Sequence, residues 1–185
     1  IWATTGASGT PTRLFSTRFT DITNPEAGGT ISMLGQGNDQ LSFTGGFTSA
    51  TGAITGNSFD NLAISRFNQV LIQEDVGGND RLGRLWLYDI TADSMLEVGI
   101  SETYFFADDI DPATPGLQTR LTRDEETSGI IDAWDILGPG WWLLNMQAHY
   151  GISGELVEGG QLMAAFIPQT VPTPAGAAVL ALGCL

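Results

Sequence analysis

The chain has 185 residues, 42% of them hydrophobic and 15% charged, too apolar for a disordered chain and long enough for a packed core. A formal net charge of −14 repels phosphate backbones and argues against nucleic acid as a partner. The lone cysteine, Cys184, excludes an internal disulfide and a Cys-rich metal site. The 24 glycines, interspersed with Thr, Ser, Asn and Asp, favour short strands joined by tight turns, and helical periodicity is scarce. In chain order, residues 1–5 and 13–15 read as strands and 30–34 as their outer neighbour. The stretch 35–57 is rich in Gly, Thr and Ser, a long loop or weak hairpin.

The clearest region follows. Residues 61–65 read as a strand, 66–69 as a turn, 70–74 as a second strand and 76–80 as a glycine-rich turn. Residues 84–90 alternate, with Trp86 and Tyr88 on one face and Leu85 and Leu87 on the other. After a turn at 91–94, residues 95–100 complete a fourth strand. Four antiparallel strands in about 40 residues match one propeller blade. Residues 102–106 read as a short helix or a strand end, and 107–122, with Asp108, Asp109 and Asp111, as a surface loop. A last strand set spans 129–132, 141–149 and 161–167. Trp86, Trp134, Trp141 and Trp142 fall on strand-like segments and read as packing between blades.

The expected fold is therefore all-β. Residues 1–168 form a partial β-propeller of about three to four four-stranded antiparallel blades, and the remaining blades of the ring lie upstream. A β-sandwich also has short strands at regular spacing. Residues 169–185 are a proline-rich linker and the start of a hydrophobic tail, shorter here than the roughly 20 residues that span a bilayer.

Chemistry-bearing residues recur at matching places. Asp60-Asn61 and Glu125-Glu126 open the inner strands of two blades, and Gln73-Glu74-Asp75 and Gln147-Ala148-His149 close the strands that follow. In a propeller the innermost strands line the central channel, so these groups would converge on its mouth as an oxygen-rich cation site. Each has a plainer reading. Asp60-Asn61 also suits a turn cap, Glu74-Asp75 a solvated turn, Glu125-Glu126 a solvent-exposed charge run after Arg123-Asp124, and His149 a hydrogen-bonded core residue beside Tyr150. The spacing of Asp108, Asp109 and Asp111 lacks the remaining positions of an EF-hand loop. Nucleophile-elbow, phosphate-loop, dinucleotide and zinc-protease motifs are absent.

Several of these stretches resemble PhoX-like alkaline phosphatases. They are Val70-Leu71-Ile72-Gln73-Glu74-Asp75 with Arg84-Leu85-Trp86-Leu87-Tyr88-Asp89-Ile90, then Thr122-Arg123-Asp124-Glu125-Glu126-Thr127-Ser128-Gly129-Ile130-Ile131-Asp132, and Gly140-Trp141-Trp142-Leu143-Leu144-Asn145-Met146-Gln147-Ala148-His149-Tyr150. The resemblance is densest over 60–168. It implies a six-bladed propeller whose channel mouth holds a cluster of calcium and iron that binds a phosphorylated small-molecule substrate and hydrolyses its monoester. By position, Asn61, Glu74 and Glu126 are the foremost metal ligands, with Asp75, Glu125 and Asp60 behind them. Gln73, Gln147 and His149 would line the channel. The family's iron site also draws on a cysteine from its N-terminal part, which has no counterpart here, so this stretch alone is not expected to be active. The alternative is a non-catalytic, calcium-stabilised extracellular propeller that binds a partner or matrix polymer.

The stretch Val171-Pro172-Thr173-Pro174-Ala175-Gly176-Ala177-Ala178-Val179-Leu180 resembles the PEP-CTERM-type sorting tail of exported bacterial proteins, with Thr173 in place of the usual Glu. It implies recognition by export and sorting machinery and an extracytoplasmic, surface-associated or secreted protein.

Overall fold

A computed structural model describes residues 1–5, 11–36, 43, 45–48, 58–75, 82–102, 106, 121–122 and 124–168. Residues 76–80, 107–120 and 169–185, the expected turn, surface loop and sorting tail, lie outside the described residues. The strands are β1 (Trp2–Thr4), β2 (Arg13–Phe19), β3 (Gly29–Gln36), β4 (Gly46–Thr48), β5 (Phe59–Ile64), β6 (Gln69–Glu74), β7 (Arg84–Asp89), β8 (Ser94–Ile100), β9 (Glu125–Asp132), β10 (Trp141–Gly151) and β11 (Glu158–Phe166). Among the described residues, a 3-10 turn at Pro25–Ala27 and a short helix, α1 (Trp134–Leu137), interrupt them. The described fold is all-β, and no helix among the described residues is long and apolar enough to cross a membrane.

The strands form three sheets, ordered β1-β2-β3, β4-β8-β7-β6-β5 and β11-β10-β9. The expected meander is present as β5 to β8, with Ile72 opposite Trp86 and Trp86 opposite Glu97. Two details differ from the expectation of uniform four-stranded antiparallel blades. The outer sheets show three strands each, and the central sheet gains a fifth, β4, which runs parallel to β8. That strand comes from the Gly/Thr/Ser-rich stretch, whose weak alternation carries no strand signal of its own. Among the described residues no sheet closes on itself.

Turn chemistry explains the meander's tight connections. Asn68 adopts a left-handed φ of 60°, and the Ser65 hydroxyl accepts from the backbone N–H groups of Phe67 and Gln69 at 3.2 and 3.3 Å. At the next turn the Asp89 carboxylate accepts from the N–H groups of Thr91 and Ala92, both at 2.8 Å, while Asp93 takes a φ of 50°. Strand β6 is buried at every position, which is why it reads as an apolar run and not as an alternating one.

Both faces of the central sheet are covered. On one, Val70, Ile72, Trp86 and Tyr88 pack with Leu14 of the first sheet. On the other, Leu71 and Leu87 pack with Trp142 and Leu144 of the last. The alternation of Trp86 and Tyr88 against Leu85 and Leu87 thus divides two separate cores. Trp86 and Trp142 are fully buried, as expected of packing residues. Trp134 is not one of them. It lies on α1, where Arg66 stacks over its ring at 5.5 Å and Phe67 packs against it at 5.0 Å. Gly138, with a φ of 100°, ends that helix before a strand can form.

The strands β1, β5 and β9 stand at sheet edges, and β5 adjoins both β1 and β9. The Thr12 hydroxyl bonds to the Thr4 carbonyl at 2.6 Å and accepts from the Phe59 N–H at 3.0 Å, tying the first sheet to β5. From β5, the Asn61 amide donates to the Ser128 hydroxyl of β9 at 3.4 Å. This seam carries the candidate site.

Candidate functional site

The acidic doublets meet where β5, β6 and β9 adjoin. Asp75, just past β6, pairs with Glu126 of β9 in an isolated antiparallel bridge. Its N–H donates to the carbonyl of Ser58 at 2.9 Å, with Ser58 held at a φ of 48°. The Asp75 and Glu126 carboxyl groups share a hydrogen bond, and Asp60 of β5 is close enough to raise the Glu126 proton affinity through its charge. Burial first, then the Asp75 hydrogen bond and charge, push Glu126 up to about 7, against a small opposing effect of His149. Burial and the charge of Asp75 also raise Asp60. Asn61 donates to the Asp60 carboxylate at 2.7 Å, which leaves its own carbonyl oxygen as a further donor atom at the seam.

A bulge in β9 follows the seam residues. Gly129 is inserted between Ser128, opposite Asn145, and Ile130, opposite Leu144. Its φ of 53° and the Asn145 amide oxygen, 2.7 Å from where a Cβ would stand, both favour glycine there. Ahead of the bulge, the ordinary alternation of the strand turns Glu125 and Thr127 inward, buried, while Glu126 and Ser128 face the seam half-buried.

The partner of each doublet has a different role. Glu74 is fully buried, and its carboxylate accepts from the Arg84 N–H at 3.0 Å and the Trp86 indole N–H at 2.8 Å. Glu125, 2% exposed, accepts from the Gly83 N–H at 3.1 Å. Both clamp the start of β7. Gln73 is fully buried on β6, with neither end of its amide hydrogen-bonded.

The His149 ring is engaged at both nitrogens. Nδ1 donates to Glu158 at 2.7 Å, and Nε2 accepts from the Gln147 amide at 3.0 Å. The hydrogen bond to Glu158 is the main reason that its pKa is raised. Glu158 was not expected as a partner. The hairpin register, which sets Gly151 opposite Glu158, brings it there, and no local motif announces it.

Calcium takes six to eight oxygen ligands, so the donor type at Asp60, Asp75, Glu126 and Asn61 suits it. No three His, Cys, Asp or Glu side chains among the described residues are gathered closely enough to hold a metal ion as they stand. The fit is therefore to a part of an oxygen shell. His149 is engaged by Glu158 and Gln147 and adds no further oxygen donor to that shell.

Comparison of the chain with known families, with curated proteins and with solved structures finds no match.

Proposed function

We propose that the chain is the closing part of a β-propeller that binds calcium at the seam of Asp60, Asp75 and Glu126, in an extracytoplasmic phosphoesterase of the PhoX-like type. The observation that carries this reading is the hydrogen-bonded pair of Asp75 and Glu126 carboxyl groups, with the charge of Asp60 acting on it, where the edge strands β5 and β9 adjoin. Two like-charged groups pressed together, with one proton held to about pH 7, are the condition a divalent cation relieves. The stacking of three sheets through successive cores, with the edge strand β5 neighbouring both β1 and β9, supports a ring of blades around a channel.

In this reading Asp75, Glu126 and Asp60 hold the cation, and the Asn61 carbonyl oxygen adds a neutral donor. Bound calcium would supply neutralisation of the charge on a phosphoryl group. The chain's own contribution is to fix the carboxylates on rigid strands, through the Asn61–Ser128 bond and the Asp75–Ser58 bond. Iron, the sorting role of the tail and a surface location rest on the sequence resemblance alone.

Calorimetric titration with calcium, beside p-nitrophenyl phosphate hydrolysis before and after chelation, tests the proposal. Calcium binding that Asp75→Asn and Glu126→Gln each weaken tenfold or more, with chelator-sensitive hydrolysis in the protein carrying all its blades, is the expected result. Calcium binding without hydrolysis in that protein would leave a calcium-stabilised binding propeller. Heat flow no greater than dilution at millimolar calcium would overturn the site.

A further inference from the structure

The central sheet and the last sheet pack closely at one end, through Leu71, Leu87, Trp142 and Leu144. Toward the other end the side chains shrink to Gly83, Gly99, Ser101 and Ala148, and the two layers leave a cavity of about 620 Å³ between them. Small-molecule sites typically enclose about 300–1,000 Å³. The walls are mostly apolar, with Leu85 and Ile100 on one side and Met146 and Met163 on the other, and Thr127, Tyr150 and Gln161 also border the space. The two methionines can adapt to a guest of irregular shape.

One polar group in the wall is unexplained by the fold. Ser101 is 4% exposed, and its hydroxyl has no hydrogen-bond partner. Its backbone is held in place, because its N–H donates to the Gly83 carbonyl at 2.9 Å. A buried hydroxyl without a partner is unfavourable, and a guest that offers an acceptor relieves it. Charge narrows the class further. The chain carries a net charge of −14 and Glu102 borders the cavity, so an anionic guest is disfavoured.

We propose that this cavity binds an uncharged apolar small molecule with one hydroxyl, ether or carbonyl oxygen. The site is separate from the carboxylate seam, since Asp60, Asp75 and Glu126 do not line it.

The test uses the full 185-residue chain and the uncharged fluorophore N-phenyl-1-naphthylamine, with decanol and decanoate as competitors. The expected result is a saturable fluorescence increase well below the unfolding temperature, displaced by decanol and at least tenfold less well by decanoate. Ala148→Phe fills the cavity and should abolish the increase while the strand circular dichroism is retained. Ser101→Ala should leave the fluorophore's affinity unchanged and weaken decanol about three- to tenfold. An increase that appears only on unfolding, or equal displacement by decanoate, would overturn the proposal. So would a signal that survives in a folded Ala148→Phe variant. If that variant does not fold, unchanged decanol affinity in Ser101→Ala overturns it instead.

Discussion

Glu74 and Asp75 are consecutive residues, as are Glu125 and Glu126, yet the first of each pair and the second have opposite surroundings. Glu74 and Glu125 point into the protein and accept hydrogen bonds from the Arg84, Gly83 and Trp86 N–H groups. Asp75 and Glu126 lie across the seam from each other, with Asp60 beside them. The period of two along a strand accounts for the split, because successive side chains leave on opposite faces. The inner pair answers to donors that the fold supplies. Among the described residues, the hydrogen-bond partner of each outer acid's carboxyl group is the other carboxyl group, and that mismatch makes the pair the candidate for a ligand.

The largest effect that would sharpen this contrast is in Glu74→Ala. It strips the Arg84 N–H and the Trp86 indole N–H of their acceptor inside the core, at a cost of about 2–4 kcal/mol. Urea unfolding measures it, and a loss below about 0.5 kcal/mol would show that Glu74 is not a structural clamp. Next, Glu126→Gln should cut calcium affinity at least tenfold yet leave the calcium-free protein as stable as the parent, or more so, at about pH 8. A clear loss of calcium-free stability there would place Glu126 with the inner acids.

A pH series isolates the same group. The folded-state value of Glu126, about 7, lies above its ordinary value of 4.5. Its stabilising contribution is therefore complete below the ordinary carboxylate range and is lost as pH rises through about 7. Calcium-free protein should melt at falling temperature across that window, and Glu126→Gln should flatten the slope. Calcium should remove the fall, because it favours the deprotonated form. Parallel curves for parent and variant would break the assignment.

The smallest effect belongs to His149, whose value is raised mainly by Glu158. Its contribution is present below the ordinary histidine value and is lost as pH rises through the raised one. The pair is solvent-exposed, so Glu158→Gln should change stability by no more than about 0.5 kcal/mol. A calcium affinity that falls with it would bring His149 into the site.

Much of the strand architecture was legible in the residues. The 84–90 alternation, the β5–β8 meander and the burial of Trp86 and Trp142 follow from period-two patterning and turn residues, which are local signals. The parallel strand β4 was not legible, since its placement beside β8 is a long-range pairing with no pattern behind it. Trp134 was misread for a related reason: its apolar neighbours resemble a strand until Gly138 closes the chain into a turn of helix. Asp60, Asp75 and Glu126 could be named as candidates from their positions in the repeat. Their separation from Glu74 and Glu125 could not, because it depends on which face of each strand meets which neighbour.

Composition, strand periodicity and turn chemistry thus determine by themselves that this chain is all-β, acidic and built of repeated short strands. Those properties need only neighbouring residues. Tertiary structure alone decided which acids clamp β7 and which confront one another, that His149 is held by Glu158, and that small side chains at the end of two sheets leave a cavity. Each depends on register and sheet packing between segments far apart in the chain, and such contacts leave no local mark on the residues that make them.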